Sequence, residues 1–211
     1  MKLAEQLLAE GVDVNAKGSG GKTPLHAAIN AGDQQLYSKL LSLGANPNIC
    51  DGQGASVVHF AAEQQDVFWL HEALKHGGNP NLPNTGNRHS PNCTPIFYAI
   101  YKRHTQTVLA LIAAGADVNH QNQHGTRPLK AAYENLLFEV IINLIEAGAD
   151  PRLGDNNGET ILDSGWWNQP ETDVIKFEDT IEGDENKHWY RKMKALLIEK
   201  SYLNEDRTEK K

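Results

Sequence analysis

GKTPLHAAINAGDQQLYSKLLSLGANPN, Gly21 to Asn48, decides how the rest of the chain is read. Its first half opens like a helix. Thr23 stands where a hydroxyl can cap free backbone N–H groups, and Pro24 suits a first turn, where its missing N–H needs no partner. Ala27 and Ala28 are small enough to let a neighbouring helix approach. The second half carries Leu36, Tyr37, Leu40 and Leu41 at helical spacing, one apolar stripe. Gly44 then reads as a helix stop.

The pattern returns along the chain. GVDVN (11–15), GANPN (44–48), GGNPN (77–81), GADVN (115–119) and GADPR (148–152) are spaced by 33, 33, 38 and 33 residues. TPLHAA (23–28), SVVHFA (56–61), TPIFYA (94–99), RPLKAA (127–132) and TILDSG (160–165) are spaced by 33, 38, 33 and 33. Two landmarks sharing one period mark an internal repeat, and such units bury their apolar faces by stacking. Ala61, Ala62, Ala131 and Ala132 repeat the small positions. Val108, Leu109, Leu111 and Ile112 repeat the second-helix stripe, and Gly77, Gly115 and Gly148 repeat the stop.

GKTPLHAA, GADVN and the 33-residue period together resemble the ankyrin-repeat family, over about residues 1–168. The resemblance implies an all-α repeat solenoid: helix–turn–helix units, β-hairpin fingers between them, and a concave recognition face. A partial first unit precedes units opening near 23, 56, 94, 127 and 160. Residues 3–10 match a second helix whose first helix is missing, either as a truncated cap or because an upstream segment was removed. His26 and His59 hold the family's histidine position, where the ring hydrogen-bonds within the loop framework. Phe97, Lys130 and Asp163 replace that histidine in later units.

Beyond Trp167 the pattern breaks. Residues 169–203 read as an acidic insertion followed by a C-terminal capping helix, and 204–211 as a disordered tail. Glu171, Asp173, Glu178, Asp179, Glu182, Asp184 and Glu185 make the insertion either a solvated loop or a docking site for a basic partner. The helix, expected over 186–203, places Trp189, Met193, Leu196 and Leu197 on one apolar face.

Several function classes fall away. A formal charge of −7 disfavours non-specific nucleic-acid binding. No apolar run approaches the ~20 residues that cross a bilayer. Phosphate-loop and nucleophile-elbow motifs are absent. His120 and His124 are four apart, but they fall in a finger rather than on a helix, so no metal site is expected. Cys50 and Cys93 lack metal spacing and are expected to be ordinary thiols. The expectation is a non-enzymatic protein-binding module with no cofactor, monomeric on its own. It would be cytoplasmic as the sequence stands, or periplasmic or lipid-anchored had an N-terminal signal been removed.

The resemblance directs attention to fingertips and to the exposed ends of the first helices. The candidate contacts are Glu63 and Gln64, Tyr101 and Lys102, Glu134 and Asn135, and Trp167, which would either touch a partner or pack on the cap. The third finger adds more. From the last residue of each GADVN-like segment to the next helix opening the distance is 8 residues, but between Asn81 and Thr94 it is 13. The extra five residues are either a tolerated insertion or a lengthened contact finger carrying Asn84, Asn87, Arg88 and His89. Asn92 stands where other units have Gly21, Gly54, Gly125 and Gly158, so it is expected at positive φ. The chain is similar to compact bacterial ankyrin proteins that act as immunity proteins, binding and neutralising a cognate secreted toxin such as a type VI phospholipase effector. The alternatives are a general regulatory or scaffolding protein and an effector delivered to a eukaryotic host.

Overall fold

The computed structural model describes residues 11, 13–86, 90–163, 181 and 183–203. The helix matched to residues 3–10, most of the acidic insertion and the 204–211 tail lie outside them. The chain divides into two compact units, Met1–Asp117 and Val118–Lys211.

The first unit contains three helix pairs: α1 (Pro24–Ala31) with α2 (Gln34–Ser42), α3 (Val57–Ala62) with α4 (Phe68–Lys75), and α5 (Pro95–Tyr101) with α6 (Thr105–Ala113). Within it α1, α3 and α5 pack in sequence, as do α2, α4 and α6. The second unit contains α7 (Pro128–Glu134), α8 (Phe138–Glu146) and α9 (Asp184–Glu199), with α8 packed on both α7 and α9.

The opening motif does what its residues dictate. Pro24, Pro95 and Pro128 each occupy the first turn of a helix. Leu25, Ala28 and Ile29 are buried on α1, and Tyr37, Leu40 and Leu41 on α2. Ala61, Ala62, Ala131 and Ala132 are fully buried, whereas Ala27 faces solvent. On α6 the buried face is Thr107, Val108 and Leu111, while Leu109 and Ile112 are half-buried.

His26 and His59 tie adjacent repeats together. The Thr23 N–H and hydroxyl both reach His26 Nδ1, at 3.2 and 2.9 Å, so that nitrogen must be the acceptor. The proton therefore sits on Nε2, which donates to the Ala55 carbonyl of the next finger at 3.3 Å. His59 repeats the arrangement, with Ser56 on Nδ1 and the Cys93 carbonyl 3.2 Å from Nε2. Both rings are fully buried, and burial lowers their pKa, for His59 to about 4. A cation there would lose its hydration and its acceptor nitrogen together.

In the third repeat Phe97 replaces the ring. Thr94 then has no nitrogen to meet, and its buried hydroxyl lacks a hydrogen-bond partner. The capping role expected of Thr94 is therefore not filled by its side chain. Lys130 instead pairs with Asp155. Asp163 accepts from the Thr160 N–H and hydroxyl at 3.0 and 2.7 Å, doing the histidine's local work with a carboxylate.

A second tie uses the asparagine that ends each GADVN-like segment. Asn48 accepts from the Asn79 N–H at 2.7 Å and donates to the Gly77 carbonyl at 2.8 Å. Asn81 does the same with Asp117 and Gly115, and Asn119 with Asp150 and Gly148. In the final copy Arg152 stands in the asparagine's place. It turns back on Asp150, with its Nε and Nη2 2.9 and 2.8 Å from the two carboxylate oxygens, and lies 5.3 Å from the Tyr202 ring centre.

Helix α9, expected from the sequence to act as a cap, differs in detail from its sequence pattern. Tyr190, Met193 and Leu197 form its buried stripe, and Tyr190 meets Phe138 edge-on at 5.5 Å. Trp189 and Leu196 are only half-buried, and Lys192 lies 4.9 Å above the Trp189 ring. Met193 and Leu197 are buried as expected, while Tyr190 takes the place of Trp189 because it supplies the aromatic ring against α8.

Candidate protein-binding surface

The fingers are built from one local device. Asp51 accepts from the Gln53 and Ala55 N–H groups at 2.9 and 3.1 Å. Asn122 accepts from His124 and Thr126, both at 3.0 Å, and Asp155 from Asn157 and Glu159 at 2.8 and 3.1 Å. A short side-chain acceptor thus folds the next residues into a turn. Among the described residues these fingers form no strand ladder, only an isolated antiparallel bridge between Cys50 and Ser56. The β-hairpins implied by the resemblance are reduced here to hydrogen-bonded turns.

Asn84 occupies the same position in the third finger, three residues past Asn81. It is 2% exposed. Its side-chain oxygen accepts from the Cys93 N–H at 2.7 Å, and its amide donates to the Tyr98 hydroxyl at 2.9 Å. Asn84 is therefore framework, not a contact residue, and its place in the candidate list is corrected. The extra five residues enter between Asn84 and Cys93, so the turn is lengthened while its closing bond, Asn84 N–H to Cys93 O at 2.9 Å, is kept. Asn92 takes φ +63°, as expected of a glycine substitute.

The root of this finger lies against the finger before it. The Thr85 N–H donates to the Gly54 carbonyl at 3.1 Å. A Cβ on Gly86 would fall on the Gln53 carbonyl oxygen, so no side chain fits there. Asn87, Arg88 and His89 lie outside the described residues, as does Trp167.

The other candidates sit at helix ends. Glu63 and Gln64 close α3 and are half-buried; the Gln64 amide donates to the Phe60 carbonyl at 3.2 Å. Tyr101 ends α5, half-buried and 6.2 Å from the Phe97 ring, followed by exposed Lys102. In the second unit Glu134 is exposed, and the Asn135 amide donates to the Ala131 carbonyl at 2.8 Å. Gln64 and Asn135 thus spend their amides on helix carbonyls. Lys102 and Glu134 are the candidates most open to solvent.

Sequence reasoning missed a pocket of about 330 Å³ in the second unit, lined by Lys130, Tyr133, Glu134, Glu159, Ile161 and Asp163 among others. Lys130 holds the Asp155 carboxyl below the usual carboxylate range, and Thr160 does the same for Asp163. The replacement of the family histidine by Lys130 and Asp163 was the available signal. Neither Cys50 nor Cys93 is in a disulfide, and burial pushes the Cys50 thiol up. No metal-binding cluster of His, Cys, Asp and Glu occurs among the described residues, and none of their helices is long and apolar enough to cross a membrane.

A family profile described as ankyrin repeats (3 copies) matches residues 1–84 and 58–155, together most of the chain. The chain belongs to the ankyrin-repeat family. Two curated proteins illustrate the likeness. An ankyrin repeat protein of fowlpox virus (strain NVSL) is 47% identical over 47 residues, 22% of this chain and 7% of that protein. The mitochondrial disaggregase of Bos taurus is 32% identical over 137 residues, 64% of this chain and 20% of that protein. The chain therefore spans a fifth or less of the length of these relatives. Ankyrin repeats make this chain a protein–protein interaction module.

Proposed function

We propose that this ankyrin-repeat chain acts by binding a single protein partner rather than by catalysis, and that its contacts come from the ends of the first helices and from the third finger. One observation carries this. The framework residues recur from repeat to repeat, whereas the helix-end pairs do not: Asn30 and Ala31, Glu63 and Gln64, Tyr101 and Lys102, Glu134 and Asn135. A repeated scaffold with unrepeated surface chemistry is what selective recognition requires, and the tyrosine is the type of residue that anchors interfaces.

The finer proposal is that the partner is a cognate secreted toxin and this chain its immunity protein. Its support is the sequence resemblance to compact bacterial immunity proteins. The competing assignment is a regulatory scaffold. Capture of the partner from the native cells, followed by co-expression, separates them. An immunity protein rescues growth from a partner that is toxic alone. A captured partner that is harmless alone eliminates the immunity role and leaves the scaffold. In either case, Tyr101→Ala with Lys102→Glu should weaken binding of the captured partner at least tenfold.

A further inference from the structure

We infer that the pocket beside α7 receives a basic side chain, arginine or lysine flanked by an apolar residue, from the protein partner; this rests on the protein-binding role proposed above. The pocket has room for one long side chain, about 330 Å³. Its base is apolar, since Tyr133 is 8% and Ile161 3% exposed. Its charge is one-sided. Among the described lining residues Glu134, Glu159 and Asp163 stand against one cation, Lys130, which is already paired with Asp155. Glu159 lies 3.8 Å from that ammonium and keeps most of its side chain in water. Among the described residues Asp163 accepts from the neutral N–H and hydroxyl of Thr160, which stabilise its carboxylate form. A concave wall with an excess of carboxylates focuses negative potential, and an incoming cation is stabilised as it loses water.

Leu136 adds an independent observation. It lies two residues beyond Glu134, in the turn between α7 and α8, at φ +55° and 46% exposed. In the first helix pair the corresponding turn uses Gly32 at φ +69°, which glycine adopts without strain. A leucine in that backbone region is strained, and its side chain gains nothing from facing water. The third helix pair holds Arg103 at this position at φ +60°, so the turn accepts a side chain; what sets Leu136 apart is its exposed apolar surface, which an apolar residue of the partner would cover.

The test uses the full chain and two blocked dipeptides, acetyl-Arg-Leu-amide and acetyl-Gln-Leu-amide, titrated with NMR detection at Tyr133 and Ile161. The arginine peptide should give saturable shifts that weaken with added salt, and the glutamine peptide should give none at the same concentration. Glu134→Gln with Glu159→Gln should weaken the arginine peptide at least fivefold. Leu136→Gly should raise the melting temperature and still weaken that peptide. Equal shifts from both peptides, or unchanged binding by the double variant, overturns the pocket assignment; a stabilised Leu136→Gly that binds as before removes Leu136 from it. If the partner captured from cells binds the double variant undiminished, the pocket fails while the protein-binding role stands.

Discussion

At the scale of single residues, the two framework histidines make stability depend on pH in a window of their own. Each is buried neutral, with Nδ1 accepting and Nε2 donating. The unfolded chain protonates its histidines near ~6.5. Folded His59 resists protonation until about 4. As pH falls between those values the unfolded state takes up the proton first, so stability is lost as the solution is acidified. For His59 alone the loss is on the order of 3 kcal/mol by pH 4. Urea titrations at pH 7.5, 6 and 4.5 should show it, and His59→Gln should flatten the profile. The carboxylates with lowered pKa (Asp150, Asp155 and Asp163) act at lower pH, because their stabilisation fades only as they protonate. Thr94 gives the converse case. Its hydroxyl is buried without a partner because Phe97 took the histidine's place. Thr94→Val should therefore be neutral or stabilising by up to ~1 kcal/mol, whereas Thr23→Val should cost about 1 kcal/mol for the lost bond to His26. Denaturant midpoints of the two variants, compared side by side, decide this.

At the scale of the element, the fingers show which parts of a repeat can be read and which cannot. Helix openings at Thr23, Ser56, Thr94 and Arg127 follow from the period together with a capping hydroxyl, a first-turn proline or both, and all four precede helices. The role of Asn84 was not legible from its type, because an asparagine in a polar loop looks the same whether it faces water or folds the turn. Aligning it with Asp51, Asn122 and Asp155, each three residues past its landmark, is the signal that separates the two. On α9 Met193 and Leu197 were legible, but the aromatic position was not, for a similar reason. Trp189 is the more apolar side chain, but the space against Phe138 is filled by Tyr190. Asn84→Ala strands the Cys93 N–H and deprives the Tyr98 hydroxyl of its donor, both buried. It should cost about 2–4 kcal/mol, two buried groups at 1–3 each with partial relief. Asn87→Ala, in the same finger, should leave thermal stability within ~0.5 kcal/mol of the parent. Melting curves of both variants check the assignment of Asn84 as framework, with Asn87 kept as a proposed partner contact.

At the scale of the whole molecule, stability is the sum of repeats and of the contacts between neighbours. Leu111 is fully buried on α6, which packs on α4 and α5. Leu111→Ala should cost about 2–5 kcal/mol. Because its neighbours depend on α6, amide exchange should quicken on α4 and α5 as well as on α6, and least on α1. Uniform acceleration over the first unit would show instead that it unfolds as one cooperative block. The pockets and charges of the surface were the least legible part of the sequence. They depend on which carboxylates end up beside which lysine, and Lys130 with Asp155 and Glu159 brings together residues 25 and 29 positions apart.

Arg152 gives this arrangement a historical consequence. Arrays of this kind lengthen when a stretch of DNA is copied in tandem, and each new copy must be gripped by the one before it. Asn48, Asn81 and Asn119 each offer that grip, with an acceptor and a donor aimed forward. Arg152 has no side-chain acceptor to offer, and two of its guanidinium nitrogens are folded back onto Asp150. A repeat copied in after it would lack the two-way asparagine bond that joins the earlier copies, unless that codon reverted to asparagine.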